Sequence, residues 1–405
     1  KMVMGDNDVP FLTWNENGNM YFTKWNGTDF NTPIQVNPDS LEVAGANWMG
    51  AEMAVYGDTL YFAFKHAPVA SSNTQIYCIT SYDGGVTLNA PVQVTFVAPE
   101  WTQMPTMTLD ASGNPLIAFM EMNDQYLETK WMVAKSNDGG QSFNQEVLAS
   151  GWSSASTEAC DCCPAQIVSE SNTVAMLYRD NNSNIRDTWA GISTDGGSSF
   201  SYGMDVDQLG WLINGCPSTG PDGFIYNDSL YTVFMSSADV QGKVYFSKSS
   251  LTNQTGGSAQ DLGLAVGNGS ENFPRIDHHN ENTAAVFQRF NSGNLELVLF
   301  YGETINEALQ SSDSGQVVAE RFVSHPDVCV GEELVFVVWQ DNSSGTLKYR
   351  KGTKGYLGLS GPRSATKPYL IGVFDILGRP AKNIDNQPSI YLYSDGTRVK
   401  KVEVR

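Results

Sequence analysis

"SYDGGVTLN" (81–89), "SNDGGQSFN" (136–144) and "STDGGSSFS" (193–201) are one motif written three times, with Asp83, Asp138 and Asp195 spaced 55 and 57 residues apart. Each reads S-x-D-G-G-x-[ST]-[FL], a tight turn closed by an acidic side chain and two glycines that tolerate a positive φ. A fixed period of that length is the mark of a repeat architecture. Around each copy the same run of short apolar or alternating segments recurs. "TMTL" (106–109), "PLIAF" (115–119), "KWMVAKS" (130–136) and "EVLA" (146–149) make one unit of four antiparallel strands.

The motif resembles the Asp-box of bacterial-neuraminidase-type repeats, which joins the two outer strands of a propeller blade and implies no activity by itself. Units without a clean box continue the pattern. They run through "VPFLTW" and "MYFTKW" at the front, and "SLYTVF", "AAVFQRF" and "ELVFVVW" further on. The chain is therefore read as all-β, a β-propeller of four-stranded blades with seven units in residues 1–361. Six blades, the number in sialidases, is the alternative.

Residues 362–405 form a linker and a small C-terminal β-domain. "YLIGVFDILGRPAKNIDNQPSIYLYSDGTRVKKVEVR" (369–405) resembles the sorting domain of Type IX secretion substrates in Bacteroidota. The Asp375–Gly378–Arg379 turn, the Ile390–Tyr393 strand, Asp395–Gly396 and the Lys-rich final strand carry the likeness. It implies the Type IX secretion machinery as a partner, and a secreted or cell-surface location beyond the outer membrane.

The composition excludes several partners. With 24 Lys+Arg against 44 Asp+Glu the net charge is -20, which argues against nucleic acid and anionic membrane surfaces. No apolar run approaches the ~20 residues of a membrane helix. No signal peptide is visible, and "KMVMGDNDVPFLTW" is read as a mature or trimmed start.

In five units the innermost strand opens with an X-Pro pair: Met104-Pro105, Cys163-Pro164, Cys216-Pro217, Phe273-Pro274 and His325-Pro326, with Met49-Gly50 in the same place earlier. Proline should push its predecessor into extended geometry. Innermost strands line a propeller's channel, so these residues should ring one mouth of it, opposite the Asp-boxes. The turns between second and third strands rise on the same face. They bring His66, Arg179, Asp180, Arg186, Asp187 and Arg289 to it.

"EACDCCPAQ" (158–166) adds Cys160 and Cys162 beside Cys163, and Cys216 should meet this group from the next blade. Three chemistries compete for these sulfurs. Disulfides are the default in an exported protein. A soft-metal site, copper or zinc, would add His325, Met49, Met104 and His66 as ligands. Redox or nucleophilic thiol work is the third. Cys78 and Cys329 sit mid-strand and read as buried thiols.

The Asp-boxes raise the question of sialidase activity. A sialidase of this fold clamps its substrate carboxylate with three arginines, the first ahead of the first Asp-box, and lysine replaces such a clamp poorly. This chain has no arginine before Arg179, and "FPRID" (273–277) lies far too late. A closer resemblance is to a bacterial sialidase-like group with a C-x-C-C stretch, Tyr-Arg-Asp, Arg-Asp and Cys-Pro-x-x-Gly-Pro in that order. "EACDCCP", "YRDNNSNIRDTW" and "GWLINGCPSTGP" match it over residues 158–221. It implies one site built from Cys160, Cys162, Cys163, Arg179, Asp180, Arg186, Asp187, Cys216, Pro217, Gly220 and Pro221. The expectation is an exported propeller that binds a ligand at one channel mouth through this Cys/Arg/Asp cluster. Arg289 joins the ligand-binding set, catalysis is absent, and copper or zinc is a candidate cofactor. The alternative is a glycan-binding protein or sialidase-like glycoside hydrolase whose cysteines serve only as disulfides.

Overall fold

Alternating apolar residues between tight turns produce a ring of seven antiparallel sheets. The computed structural model describes residues 1–46, 49–67, 75–96, 101–154, 158–239, 241–263, 269–310 and 315–353. It also describes the backbone of three strands further on, Leu370–Asp375, Pro388–Tyr393 and Arg398–Val402. The chain divides into two units, Lys1–Leu357 and Gly358–Arg405.

The blades follow in order, each written from its innermost strand outward. Blade 1 is Met2–Gly5, Val9–Glu16, Asn19–Lys24 and Ile34–Gln35; blade 2 is Glu52–Tyr56, Thr59–Lys65, Ile76–Ser81 and Val92–Gln93. Blade 3 is Trp101–Leu109, Pro115–Met122, Lys130–Lys135 and Val147–Leu148. In blade 4 both Glu158–Ala159 and Gln166–Glu170 pair with Thr173–Asn181, followed by Thr188–Ser193 and Tyr202–Asp205. Blade 5 is Asp222–Tyr226, Ser229–Ser236, Lys243–Ser250 and Gln260–Asp261; blade 6 is Ser270–His279, Asn282–Asn291, Asn294–Gly302 and Gln316–Glu320. Blade 7 has three strands among the described residues, Val323–Val330, Leu334–Asp341 and Thr346–Thr353. The second unit is an antiparallel three-stranded sheet; its linker and the Gly378, Arg379, Asp395 and Gly396 positions lie outside the described residues.

The apolar core is divided in the same way, because each sheet buries both faces against its neighbours. Phe22, Phe62 and Phe64 fill the seam between blades 1 and 2, Ile117 and Phe119 that between 2 and 3, and Phe246 and Phe287 that between 5 and 6. Cys78 and Cys329 are buried free thiols in two such seams.

The three Asp-boxes lie between third and fourth strands and are built alike. Ser81 Oγ accepts Gly85 N–H at 2.9 Å, and Asp83 accepts Thr87 N–H at 2.8 Å. The same pairs recur at Ser136/Gly140 with Asp138/Ser142 and at Ser193/Gly197 with Asp195/Ser199. The Thr87 hydroxyl, which donates to Asp83 at 2.6 Å, then the Thr87 N–H and the Ser81 hydroxyl pull the exposed Asp83 carboxyl down to about 2. Each box also leans on the preceding blade. Lys24 and Lys135 donate to the carbonyls of Gly84 and Gly196, and Tyr82 Oη donates to that of Gly139. Gly85 has φ +89° and sits directly on the Phe22 ring, so a Cβ there meets both a backbone penalty and a wall.

Gly85→Ala should therefore cost about 2–4 kcal/mol in urea unfolding. Gly151→Ala (φ +91°) has open space around the added Cβ and should cost only about 1–2 kcal/mol. Equal losses for the two variants would show that the box is not packed against blade 1.

Candidate functional site

The innermost strands carry one irregularity at a fixed place. In blade 3, Met104 and Pro105 together oppose Phe119; in blade 6, Phe273 and Pro274 oppose Phe287; in blade 7, His325 and Pro326 oppose Trp339. Two residues against one is a β-bulge. In these three units the residue before the proline is not extended as the sequence suggested: Met104, Phe273 and His325 have φ of 52°, 53° and 50°, whereas Cys163 and Cys216 have no positive φ. Proline disfavours the right-handed helical region for its predecessor, and here the bulge takes the left-handed well instead of the extended one. Each such residue costs roughly 1–2 kcal/mol, which surrounding structure must offset.

Blade 4 enlarges the same irregularity. Ala159 pairs with Asp180 and Gln166 with Leu177, so six residues, 160–165, stand opposite Tyr178 and Arg179. "CDCCPA" is thus a loop thrown out of an innermost strand. Its sulfurs are joined as Cys160–Cys163, with Cα atoms 5.5 Å apart, and Cys162–Cys216, 6.2 Å apart across 54 residues. The second disulfide ties the blade 4 loop to the segment entering blade 5. Cys160 and Cys163 are buried, whereas Cys216 is exposed.

The arginines and aspartates of this region hold the loop in place. Arg179 is fully buried, and its Nε, Nη1 and Nη2 donate to the carbonyls of Thr219, Arg186 and Met235 at 3.2, 2.5 and 2.7 Å. Its guanidinium carbon stands 5.0 Å from the Trp211 ring. The Asp187 carboxylate accepts the N–H groups of Gly210 and Trp211 at 3.0 and 2.8 Å. Asp180 and Arg186 are also buried, yet Asp180 Oδ1 and Arg186 Nε and Nη1 have no hydrogen-bond partner. Burial, helped by the charges of Asp187 and Asp205, pushes the Asp180 carboxyl up to about 7. Arg289 lies in blade 6, ion-paired to Glu296 at 2.6 Å.

Met49 and Met104 meet, Met104 N–H pointing at Met49 Sδ at 3.2 Å, and both are buried. His66 packs edge-on to Tyr77, with ring centroids 6.2 Å apart. Met49 and His325 line a cavity of about 610 Å³ on the bulge-bearing face, between blades 7, 1 and 2. Trp14, Asn15, Glu16, Glu42 and Gln340 complete its working wall. Gln340 belongs to "WQDN" (339–342), a second-to-third strand turn that the repeat assigns to this face, whereas Trp14, Asn15, Glu16 and Glu42 are not among the residues the sequence pattern brings there. The signal was present in "WNENGN" (14–19), the second-to-third strand turn of blade 1, equivalent to turns that were read in other blades.

Deeper in the channel, Glu52, Asp222, Arg275 and Asp327 come from the innermost strands of blades 2, 5, 6 and 7. Burial would lower the Arg275 pKa, but the charges of Asp222, Asp327 and Glu52 raise it. The "FPRID" arginine is therefore committed to these carboxylates.

No protein-family model matches the chain, and no curated protein matches it. Solved structures do. An ulvan lyase, solved bound to a GlcA–Rha3S saccharide, aligns at 10% identity and TM-score 0.56 over 85% of this chain and 90% of its own. A protein of unknown function from Dyadobacter fermentans aligns at 13% identity and TM-score 0.48, covering 73% of this chain and 90% of that one. A Trypanosoma rangeli sialidase aligns at 10% identity and TM-score 0.48, covering 97% of this chain and 68% of that one. The likeness is one of fold.

Asp180 makes a testable contribution to stability. A carboxyl whose folded pKa is raised to about 7 from an unfolded value near 4 favours folding when protonated. That contribution is present below pH ~4 and is lost as pH rises through ~7. Burial also raises Asp207 and Asp277, to about 8 and about 7, and they act in the same sense. The Tm should fall between pH 5 and pH 8, and in Asp180→Asn it should fall by about 2–4 °C less. Parallel curves for the two proteins would remove Asp180 from the account.

Proposed function

We propose that this chain is a carbohydrate-binding β-propeller that holds its ligand at the channel mouth without hydrolysing it. The observation that carries this reading is the cavity of about 610 Å³ between blades 7, 1 and 2. Its wall offers an aromatic face at Trp14 and hydrogen-bonding groups at Asn15, Glu16, Glu42, His325 and Gln340. A sugar presents the complement, an apolar C–H face and a ring of hydroxyls. The same face of the ring carries further aromatics: Trp101 against Tyr126, and Phe273 and Phe290, which are 43% and 51% exposed.

The arginines count against a sialidase-type clamp. Arg179 spends three nitrogens on backbone carbonyls, Arg289 is held by Glu296, and Arg275 stands among channel carboxylates. In this reading the Cys/Arg/Asp cluster shapes the mouth, and the sugar contacts come from blades 7, 1 and 2.

Calorimetry against neutral oligosaccharides of the cello-, xylo- and manno- series should find a binder, and Trp14→Ala should weaken it at least tenfold. An aryl sialoside should not be hydrolysed above the buffer rate. Failure of every oligosaccharide to bind, or robust sialoside turnover lost in Arg179→Lys, would reject the proposal.

Export is the second part of the reading, supported by the Type IX-like sequence of residues 369–405 and by the division of the chain at Leu357/Gly358. Deleting residues 366–405 should leave a folded propeller retained within the cell envelope. A truncated chain that still reaches the medium would contradict it, and one that cannot fold would make the segment structural.

A further inference from the structure

We propose that Cys160, Cys162, Cys163 and Cys216, once reduced, hold one zinc ion through four thiolates. The two disulfides and the metal site are then alternative states of the same four sulfurs. This inference is independent of the sugar pocket and stands or falls without it.

The geometry comes first. The sulfurs of Cys160, Cys162 and Cys163 lie within 4.8 Å of one another, and that of Cys216 is bonded to Cys162. A tetrahedral zinc site with Zn–S near 2.3 Å places its sulfurs about 3.8 Å apart. Cys160 Sγ and Cys162 Sγ, which belong to different disulfides, already stand 3.6 Å apart. The remaining sulfurs reach that spacing by side-chain rotation once their bonds open, since the Cα separations of 5.5 and 6.2 Å leave the backbone room. Thiolate ligands select zinc over hard cations.

The second observation is a buried cation with unused hydrogen-bond donors. Arg186 is only 7% exposed, and neither its Nε nor its Nη1 has a hydrogen-bond partner. The charges that act on it are those of Asp161, which sits between Cys160 and Cys162, and Asp180. Buried N–H donors without acceptors are costly, and neutral disulfides offer them no compensating charge. A zinc tetrathiolate carries two net negative charges and would put further counter-charge on the loop that holds Asp161, whose charge already acts on Arg186.

Reduction has a route. Cys216 is exposed, so an external dithiol reaches the Cys162–Cys216 bond first. Attack at Cys216 Sγ breaks that bond and leaves the electron pair on Cys162 as a thiolate. That thiolate lies 3.6 Å from Cys160 Sγ, the near end of the buried disulfide. Its attack forms a Cys160–Cys162 bond and releases Cys163 as a thiolate. Two dithiols in all are oxidised to their disulfides, and four thiols result. Zinc binding then releases the four thiol protons.

The test uses the full chain reduced under argon with a phosphine. Each disulfide consumes one phosphine and one water and gives two thiols and the phosphine oxide. Thiol counting in denaturant should find two thiols before reduction, Cys78 and Cys329, and six after it. After desalting, the reduced chain should retain one zinc and the oxidised chain none. Cobalt(II) in place of zinc should give the intense visible bands of a tetrahedral thiolate complex. Cys216→Ser should weaken zinc binding at least tenfold, Arg186→Gln should weaken it several-fold, and Cys78→Ser should leave it unchanged. A six-thiol chain that retains no zinc overturns the proposal, whether or not near-ultraviolet circular dichroism shows it folded. Zinc held as tightly by Cys216→Ser as by the parent chain overturns it too.

Discussion

A ring of sheets must be closed, and here closure rests on aspartates that reach from one innermost strand to the next. Asp222 of blade 5 accepts Ile276 N–H of blade 6 at 3.0 Å, and Asp277 of blade 6 accepts Val330 N–H of blade 7 at 2.7 Å. Asp327 of blade 7 accepts Met2 N–H of blade 1 at 2.7 Å. The last of these is the joint. Blade 1 completes its own four strands, so among the described residues no sheet is shared between the chain's beginning and blade 7. Closure adds Asp8, which accepts Glu332 and Glu333 N–H at 2.6 and 2.7 Å, and a cluster of Trp25, Phe30, Phe336 and Tyr349 rings. Hydrogen bonds to a carboxylate are stronger than neutral ones. Asp327, whose pKa burial would raise but the charges of Lys1, the N-terminus and Arg275 keep low, makes the bond at the joint. The acidic balance of the chain therefore has a structural component at its centre.

The densest motif in the sequence turned out to be a means of docking a loop. Arg179, Asp187 and the backbone of Arg186 take hold of the segment from Gly210 to Thr219, and Cys162 fastens its Cys216. A guanidinium with three nitrogens on carbonyls cannot also clamp a substrate carboxylate. Arg179→Lys would lose two of the three bonds, because an ammonium is a point donor and the three carbonyls are spread around a plane. The spacing of these residues is fixed by the loop they hold, which is why they appear together in sequence and yet say little about a ligand.

Blade number, strand order and the place of the Asp-boxes were legible because each depends on local rules: period-two alternation, Gly-Gly turns and a repeat near 55 residues. The meeting of Cys216 with the 160–163 cluster followed from the repeat. The pairing did not, because it depends on which side chains the enlarged bulge turns inward, and Cys160 with Cys163 leaves Cys162 facing Cys216. The cavity wall at Trp14 and Glu16 was missed for a different reason. It draws on blades 7, 1 and 2, so residues more than 300 positions apart share it, and no local pattern announces such a neighbourhood. Backbone hydrogen bonds of the Arg179 kind are equally silent in sequence, since any residue supplies a carbonyl.

The bulge position unites these findings. An innermost strand must keep its hydrogen bonds to the second strand and its apolar contacts to both neighbouring blades, so most of its residues are not free to change. At the bulge the ladder is already broken, and the residue there is turned out of the sheet toward the mouth. The same position consequently carries unlike side chains: buried Met104 against Met49, exposed Phe273, His325 at the cavity, and in blade 4 a six-residue loop with three cysteines. Glycine would adopt a φ near 50° at no cost, yet three different L-residues hold it. Strain retained at three equivalent points is explained by the side chains that it presents, and all three are presented to the same face.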